Sequence, residues 1–215
     1  MTGVPLALDE LELDALTELV NIGVSRAAAS LRTMVGEQVF LSVPSLELVS
    51  RTKAAVLICE RETDNLVAVR QDFDGAFSGQ ALLIFPEANS LELVRAVTGG
   101  IVAEDQAHGL EDEALTETAN IVLNQCLATL ANMLERPLEM SLPQIVRSEG
   151  ARLFELGPAA GSDAAVLFLY INFAIHNRNI RGYIAMLMDL PSLEALRSLI
   201  RDFIARVIGS ETAAL

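Results

Sequence analysis

The sequence predicts an α+β fold in which two long helices pack on one side of an antiparallel sheet. Helix-like and strand-like periodicities alternate along the 215 residues, and the order helix, strand, hairpin, helix occurs twice. Hydrophobic residues make up 52% of the chain, enough to bury a sizeable core. We therefore expect one domain, 1–215, made of two pseudo-twofold repeats at about 9–100 and 109–208.

The first repeat opens with an amphipathic helix predicted from Leu11 to Met34, where apolar residues recur every three or four positions. Asp9 suits the start of this helix and Gly36 its end. The alternating, β-branched segment from Gln38 to Val49 predicts a strand. Because Pro44 cannot donate to a strand ladder, it indicates a strand end, a bulge or an edge position.

The remainder of the first repeat predicts a hairpin between two helices. Asp74-Gly75 marks the hairpin turn. The second of these helices begins at Asn89 or Ser90 and ends at Gly99-Gly100. The predicted segments are a short helix at Arg51–Cys59, strands at Leu66–Phe73 and Gly79–Phe85, and a helix at Ser90–Val97.

The second repeat follows the same order. Its predicted segments are a helix at Gly109–Leu134, a strand at Pro137–Val146 interrupted by Pro143, strands at Ala165–Ile175 and Gly182–Met188 with a turn near 176–179, and a helix at Ser192–Ile208.

Matching residues support an old duplication of the two halves. Glu18-x-x-Asn21 returns as Glu117-x-x-Asn120 after 99 residues (117 − 18), and Pro44 returns as Pro143 at the same offset. Ser90-Leu91-Glu92 returns from Ser192 onward at an offset of 102. Two such halves most simply pair their strands into a single antiparallel sheet.

Charge excludes some classes of partner. Lys and Arg total 15 against 29 Asp and Glu, so the formal net charge is −14. So acidic a chain repels phosphate backbones and anionic lipid, and we expect neither nucleic-acid binding nor membrane insertion. The apolar run at 164–175 is too short to span a bilayer, and the N-terminus shows no signal peptide. The expected compartment is the cytoplasm.

The sequence offers few ligands for a metal. Cys59 and Cys126 lie far apart in apolar segments, and both are expected to be buried small hydrophobes. With only His108 and His176 besides, no zinc-like spacing is present. No Gly-rich phosphate loop, Gly-x-Ser-x-Gly elbow or Cys/His nucleophile pair is found. We therefore expect no metal or organic cofactor of the protein's own.

Polar residues recur on one face of each long helix. Asp14, Glu18 and Asn21 stand at i, i+4 and i+7, opposite the apolar stripe. Glu113, Glu117 and Asn120 repeat this arrangement, and Asn124 extends it by one turn. Carboxylates are common on solvated helix faces, so a purely solvating role is the simple alternative. Asn is a poor helix-interior residue, however, and its occurrence twice at identical spacing favours a function.

At these residues the chain resembles the CheC-type chemotaxis phosphatases, a family that includes CheC, CheX and FliY. The family pattern is Asp/Ser-x3-Glu-x2-Asn-x22-Pro, and Asp14, Glu18, Asn21 and Pro44 match it at every position. The second copy matches with Glu117, Asn120 and Pro143, whereas Glu113 stands where Asp or Ser is usual. The resemblance covers essentially the whole chain, and two copies of the motif are typical of CheC itself.

The resemblance implies hydrolysis of the aspartyl phosphate on a CheY-like response regulator. It assigns catalysis to Glu18, Asn21, Glu117 and Asn120, and it implies Mg²⁺ only on the phosphorylated receiver. Asp14 and Glu113 are expected at the rim, and Pro44 and Pro143 are expected to shape the strand beside each motif helix. A monomer is expected rather than a dimer.

A second hypothesis stays open on the sequence. The protein could be an adaptor that docks a response regulator, flagellar-switch proteins or the receptor deamidase CheD with little catalysis. Intact Glu and Asn in both copies favour the enzyme, because a pure adaptor needs neither amide.

Overall fold

The computed structural model describes residues 8–62, 65–97, 104–155, 164–175 and 178–212. Helices and strands alternate along the chain in the predicted order, with one additional short helix. The helices are α1 (Glu10–Val35), α2 (Arg51–Arg61), α3 (Glu87–Val97), α4 (Glu104–Met133), α5 (Gly150–Leu153) and α6 (Leu190–Thr212). The strands are β1 (Val39–Ser50), β2 (Leu66–Gly75), β3 (Gly79–Pro86), β4 (Leu138–Met140), β5 (Gln144–Ser148), β6 (Ala165–Ile175) and β7 (Arg178–Met188).

All described strands belong to one antiparallel sheet, ordered β1-β6-β7-β3-β2, with β4 and β5 both paired to β2 on the far side. The hairpins β2–β3 and β6–β7 meet through the β3–β7 pair at the centre. Each edge is supplied by the other half of the chain: β1 pairs with β6, and β4 and β5 pair with β2. The arrangement is therefore two-fold in its element order, and the predicted α+β class is confirmed.

Helices cover the two faces of the sheet unequally. The larger core cluster joins α1, α3, α4 and α6 to one face, and the smaller cluster joins α2 and α5 to the other. Alternate residues of each central strand enter the two clusters: in β3, Leu83 faces the larger cluster and Ile84 the smaller. Both long motif helices thus lie on the same side of the sheet, as predicted.

Several element starts differ from the prediction. The helix α3 begins at Glu87, so Ser90 lies inside its first turn, with its hydroxyl oxygen 2.7 Å from the Glu87 carbonyl oxygen. The helix α4 begins at Glu104, so Gly109 lies within it. The helix α6 and the strand β7 also start earlier, and α5 was not predicted. The predicted helix end at Gly99-Gly100 and residues 176–177 of the predicted turn lie outside the described residues.

The two cysteines differ in their surroundings. Cys126 lies on α4 and is buried, and this burial raises the pKa of its thiol to about 12. Cys59 is exposed on α2, so the prediction of a buried residue was wrong. The apolar segment that suggested burial places Ala54 and Ile58 against the sheet and turns Cys59 outward. In the described part of the chain, no helix is long and apolar enough to cross a bilayer.

Candidate functional site

The first motif helix is fixed at both ends by its own sequence. At the start, the Asp9 carboxylate accepts from the Glu12 backbone N–H at 2.9 Å, and Glu12 accepts from the Asp9 N–H at 2.8 Å. This reciprocal capping box satisfies donors that a helix N-terminus leaves unpaired. At the end, Gly36 adopts φ 74°, a left-handed conformation that favours glycine. The motif therefore lies on a helix with well-defined ends.

The two motif helices pack directly against each other. Gly23 of α1 lies so close to α4 that a Cβ atom added there would stand 2.9 Å from the Cys126 Cα. Nearby, the Arg26 guanidinium donates to the Thr129 hydroxyl at 3.3 Å. The glycine next to the motif in sequence thus permits the close approach of α1 and α4. The two predicted sites occupy neighbouring helices of one layer.

In the first copy of the motif, Asp14 and Glu18 are exposed and Asn21 is half-buried. Within the described residues, no hydrogen bond engages the Asn21 side chain, so its amide oxygen and nitrogen are both available to a partner. The apolar stripe on the other side of the helix is buried, with Leu16 and Val20 each 1% exposed. The carboxylates face outward and the apolar residues inward, as predicted, whereas the amide lies at the boundary between the two faces.

In the second copy, Glu113 and Glu117 are exposed and Asn120 is half-buried, but its amide oxygen is already engaged. The Asn120 Oδ1 accepts from the Asn124 Nδ2 at 2.7 Å and lies 3.4 Å from the Gln71 Nε2. Because a carbonyl oxygen has two lone pairs, these two donors occupy both. The two copies therefore present the same residue types in different hydrogen-bonding states.

Gln71 is a buried polar residue beneath the second motif. It is 1% exposed, donates to the Ser141 carbonyl at 3.1 Å, and has an Oε1 atom with no hydrogen-bond partner in the described structure. The Ser141 backbone and hydroxyl bond to Asp72 at the end of β2, which holds this corner of the sheet. The sequence did not reveal Gln71, because a single glutamine in a strand carries no distinctive spacing.

The motif prolines occupy opposite edges of the sheet. Pro44 lies in the edge strand β1, where the pairing register with β6 shifts between Ser42 and Ser45. Pro143 separates β4 from β5 on the other edge. The prediction of a bulge or edge position for Pro44 is confirmed, as is the interruption by Pro143. Each proline removes a donor where a sheet edge would otherwise be continuous.

Two buried glutamates, one in each half of the chain, were not identified from the sequence. Glu12 is 1% exposed and lies against two guanidiniums of α6, with its carboxylate 3.0 and 3.1 Å from the Arg197 Nε and also bonded to Arg201. Burial alone would raise the pKa of Glu12, but the Asp9 N–H and the two arginines outweigh it and hold the pKa below its ordinary value. Glu111, the residue 99 positions later, is also buried, and its carboxylate shares the single Ser90 hydroxyl proton with the Glu87 carbonyl, lying 2.6 Å from the Ser90 Oγ.

The repeat extends beyond the motif residues, and this longer repeat is the sequence signal that identifies the two glutamates. Residues 11–22 and 110–121, which we call the repeated segment, are identical at eight of 12 positions. The shared residues are Leu11, Glu12, Ala15, Leu16, Thr17, Glu18, Asn21 and Ile22, each of which returns 99 residues later. A full alignment of the two halves, and not the motif alone, would have identified Glu12 and Glu111.

The exposed motif faces are strongly acidic. The four exposed carboxylates are those of Asp14, Glu18, Glu113 and Glu117. Their negative charge disfavours a free phosphate and favours a substrate that brings its own cations. Among the described residues, no group of three His, Cys, Asp or Glu side chains is arranged to hold a metal ion.

Known proteins resemble this chain in sequence and in fold. "CheY-P phosphatase CheC" of Bacillus subtilis is 24% identical over 199 residues, which cover 88% of this chain and 93% of CheC. "Flagellar motor switch phosphatase FliY" of the same species is 23% identical over 140 residues, covering 64% of this chain but only 36% of FliY. No protein-family model matches the chain.

The fold is shared with a solved structure of FliY from Thermotoga maritima. The TM-score is 0.72 at 16% sequence identity, and the superposition covers 92% of this chain and all of that one. The chain is thus similar to CheC in sequence along nearly its whole length and to FliY in fold.

Proposed function

We propose that this protein hydrolyses the aspartyl phosphate of a CheY-like response regulator in chemotaxis signalling. The observation that carries the proposal is the Glu–Asn pair repeated on two adjacent helices, Glu18 with Asn21 and Glu117 with Asn120. Each site places a carboxylate at the surface and an amide one turn further on. The similarity to CheC, a protein named as a CheY-P phosphatase, supports the same activity.

The acidic motif faces suit a substrate that brings its own cations. A receiver domain holds Mg²⁺ and a Lys beside its phosphorylated aspartate, so the anionic phosphoryl group is locally neutralised. Glu18 and Glu117 would pair with that Lys and fix the receiver on the helix. In this proposal the protein needs no metal or organic cofactor of its own, since the Mg²⁺ belongs to the receiver.

The asparagine amides would supply the catalytic step. An aspartyl phosphate is a reactive mixed anhydride, and an acceleration of about 100-fold needs only about 2.7 kcal/mol off the barrier. An amide can accept a hydrogen bond from water through its oxygen and donate to a phosphoryl oxygen through its nitrogen. Asn21 or Asn120 inserted beside the phosphoryl group would thus hold one water in line for attack.

Other motif residues have supporting roles in this proposal. Asp14 and Glu113 would orient the partner at the rim of each site. Pro44 and Pro143 lie in the sheet edges and would shape the strands beside the helices without touching the phosphate. We place the catalytic groups on the two helices alone.

The direct test follows the decay of a radiolabelled phospho-receiver with and without the protein. We expect the lifetime to shorten by at least tenfold at saturating protein. A control with Mg²⁺ chelated should slow decay with and without the protein alike, since the ion acts on the receiver. An unchanged lifetime together with tight binding would reject the enzyme and leave an adaptor, the alternative that also accommodates flagellar-switch proteins or CheD as partners.

A further inference from the structure

The repeated segment contains one surface position that neither the core nor the motif explains. Its eight shared positions divide by burial in the same way in both copies. Glu12 and Leu16 are buried in both, whereas Ala15, Thr17, Asn21 and Ile22 are half-buried in both. The two shared positions that are exposed in both copies are Leu11, with Leu110, and Glu18, with Glu117. An exposed leucine that both copies of the repeated segment share therefore calls for an explanation.

The leucine lies on the same helix face as the motif. Seven residues separate Leu11 from Glu18, which is almost two full turns, so the two side chains point in nearly the same direction. Asn21 follows ten residues after Leu11, or about 15 Å along the helix axis. The spacing from Leu110 to Glu117 and Asn120 is identical. Each motif face thus carries an apolar contact at one end and an amide at the other.

A role in helix initiation does not account for both leucines. Leu11 is the second residue of α1, but α4 begins at Glu104, so Leu110 is its seventh residue. A capping or staple contact depends on distance from the helix start and would not repeat at two different distances. Burial does not account for them either, since Leu11 is 55% exposed and Leu110 is 39% exposed.

We propose that Leu11 and Leu110 are docking residues that insert into an apolar surface of the phosphorylated receiver, about 15 Å from its phosphoryl group. The inference rests on the proposed function and adds a specificity contact to it. The carboxylates between the leucine and the amide, Asp14 with Glu18 and Glu113 with Glu117, give this face a negative charge that complements the receiver's Lys. A leucine beside them adds short-range apolar contact that charge alone cannot supply.

Affinity for a stable mimic of the phosphorylated receiver tests the docking contact. The probe is a CheY-like receiver from the same organism, loaded with Mg²⁺ and beryllium fluoride, and titrated by fluorescence anisotropy. We expect Leu11→Ser with Leu110→Ser to weaken binding by about tenfold or more. In phospho-receiver decay the same variant should raise KM to a similar extent, with kcat changed by less than about twofold.

Two exposed apolar residues away from the motif faces provide a matched control. Met34 is 39% exposed and lies about 140° around α1 from Leu11, and Val56 is 42% exposed on α2 across the sheet. Met34→Ser with Val56→Ser removes a similar amount of surface and should change affinity by less than about twofold. If the leucine variant does not fold by circular dichroism, Leu11→Ala with Leu110→Ala makes the same comparison.

The outcomes separate this inference from the proposed function. Unchanged affinity in the leucine variant, with wild-type binding intact, overturns the docking contact and leaves the phosphatase proposal standing. Equal weakening by the leucine and control variants overturns it as well. If the leucine variant without receiver differs from wild type in sedimentation coefficient but not in receiver affinity, the leucines form a contact between copies of this protein instead. Binding without hydrolysis by the wild-type protein overturns the proposed function alone.

Discussion

The two asparagine amides differ in the hydrogen bonds that their oxygen atoms already accept. No described residue hydrogen-bonds to the Asn21 side chain, whereas the Asn120 Oδ1 has Asn124 at 2.7 Å and Gln71 at 3.4 Å. A water molecule that must be held through that oxygen competes with both donors at the second site. We therefore expect the first site to be the faster one, and Asn21→Ala to cost more activity than Asn120→Ala.

Freeing the Asn120 oxygen should accelerate the second site. In an Asn21→Ala background, Asn124→Ala removes the shorter of the two competing hydrogen bonds. A hydrogen bond of about 1 kcal/mol corresponds to about fivefold, so we expect kcat to rise by about that factor with little change in KM. Single-turnover decay of the phospho-receiver measures it. A fall in kcat would mean that Asn124 braces the amide in a productive position, contrary to this account.

At the scale of helices, the contact between α1 and α4 depends on Gly23. A Cβ atom there would meet the Cys126 Cα at 2.9 Å, and backbone atoms cannot move aside as a flexible side chain can. We expect Gly23→Ala to lower the free energy of unfolding by roughly 2 kcal/mol despite the better helix propensity of alanine. Chemical denaturation followed by circular dichroism measures the change.

Gly209 offers the matched control for that substitution. It lies exposed in α6, and a Cβ atom added there would have nothing within 4 Å. Gly209→Ala should therefore stabilise the protein by about 0.5 to 1 kcal/mol through helix propensity alone. Similar effects of the two substitutions would refute the close helix contact.

Glu12 links the start of α1 to α6 through hydrogen bonds to two arginines, and the stability that this contact provides should depend on pH. Its pKa in the folded protein is below the ordinary value of 4.5, so its stabilisation is present above that value and is lost as the pH falls through the folded pKa. We expect Glu12→Gln to cost roughly 2 kcal/mol at pH 7, because charged hydrogen bonds to two arginines are weakened. The difference from wild type should shrink as the pH is lowered below 4.5.

Denaturation midpoints measured at several pH values check this prediction. Glu10→Gln is the control, since Glu10 is exposed in the same helical turn and should change stability by less than about 0.5 kcal/mol. A Glu12→Gln deficit that stays constant down to pH 3 would show that the carboxylate charge is not what stabilises the contact.

Local sequence signals predicted most elements but not all of their boundaries. Asp9 and Gly36 bound α1 as expected because capping and the left-handed helix end are local effects. Ser90 failed as a predictor of a helix start because its hydroxyl is engaged by Glu87 and by Glu111 of another helix. That contact joins residues 21 positions apart, and a local pattern carries no information about it.

At the scale of the whole molecule, each half of the chain completes the sheet of the other. The repeat predicted a single antiparallel sheet, yet not that β1 would pair with β6 and that β4 and β5 would pair with β2. Residue offsets show that two halves are equivalent, but they do not show which strands become neighbours. In this arrangement, Gln71 of the first half lies beneath Asn120 of the second.

The candidate site shows the same division between what the sequence predicts and what it leaves open. The exposure of Glu18 and Glu117 followed from helix periodicity, and the structure confirms it. The contrast between Asn21 and Asn120 did not follow, because it depends on Gln71 in a strand 49 residues away from Asn120. Two motif copies that are equal in sequence are therefore unequal in their surroundings.

The central claim is that the two amides perform the hydrolysis, and the doubly substituted protein tests it most directly. Asn21→Ala with Asn120→Ala should retain the circular dichroism spectrum and bind the beryllium fluoride receiver with near wild-type affinity. We expect it to lose nearly all acceleration of phospho-receiver decay, while each single variant loses only part if each helix face is an independent site. Full activity in the double variant would contradict the account and place the chemistry elsewhere.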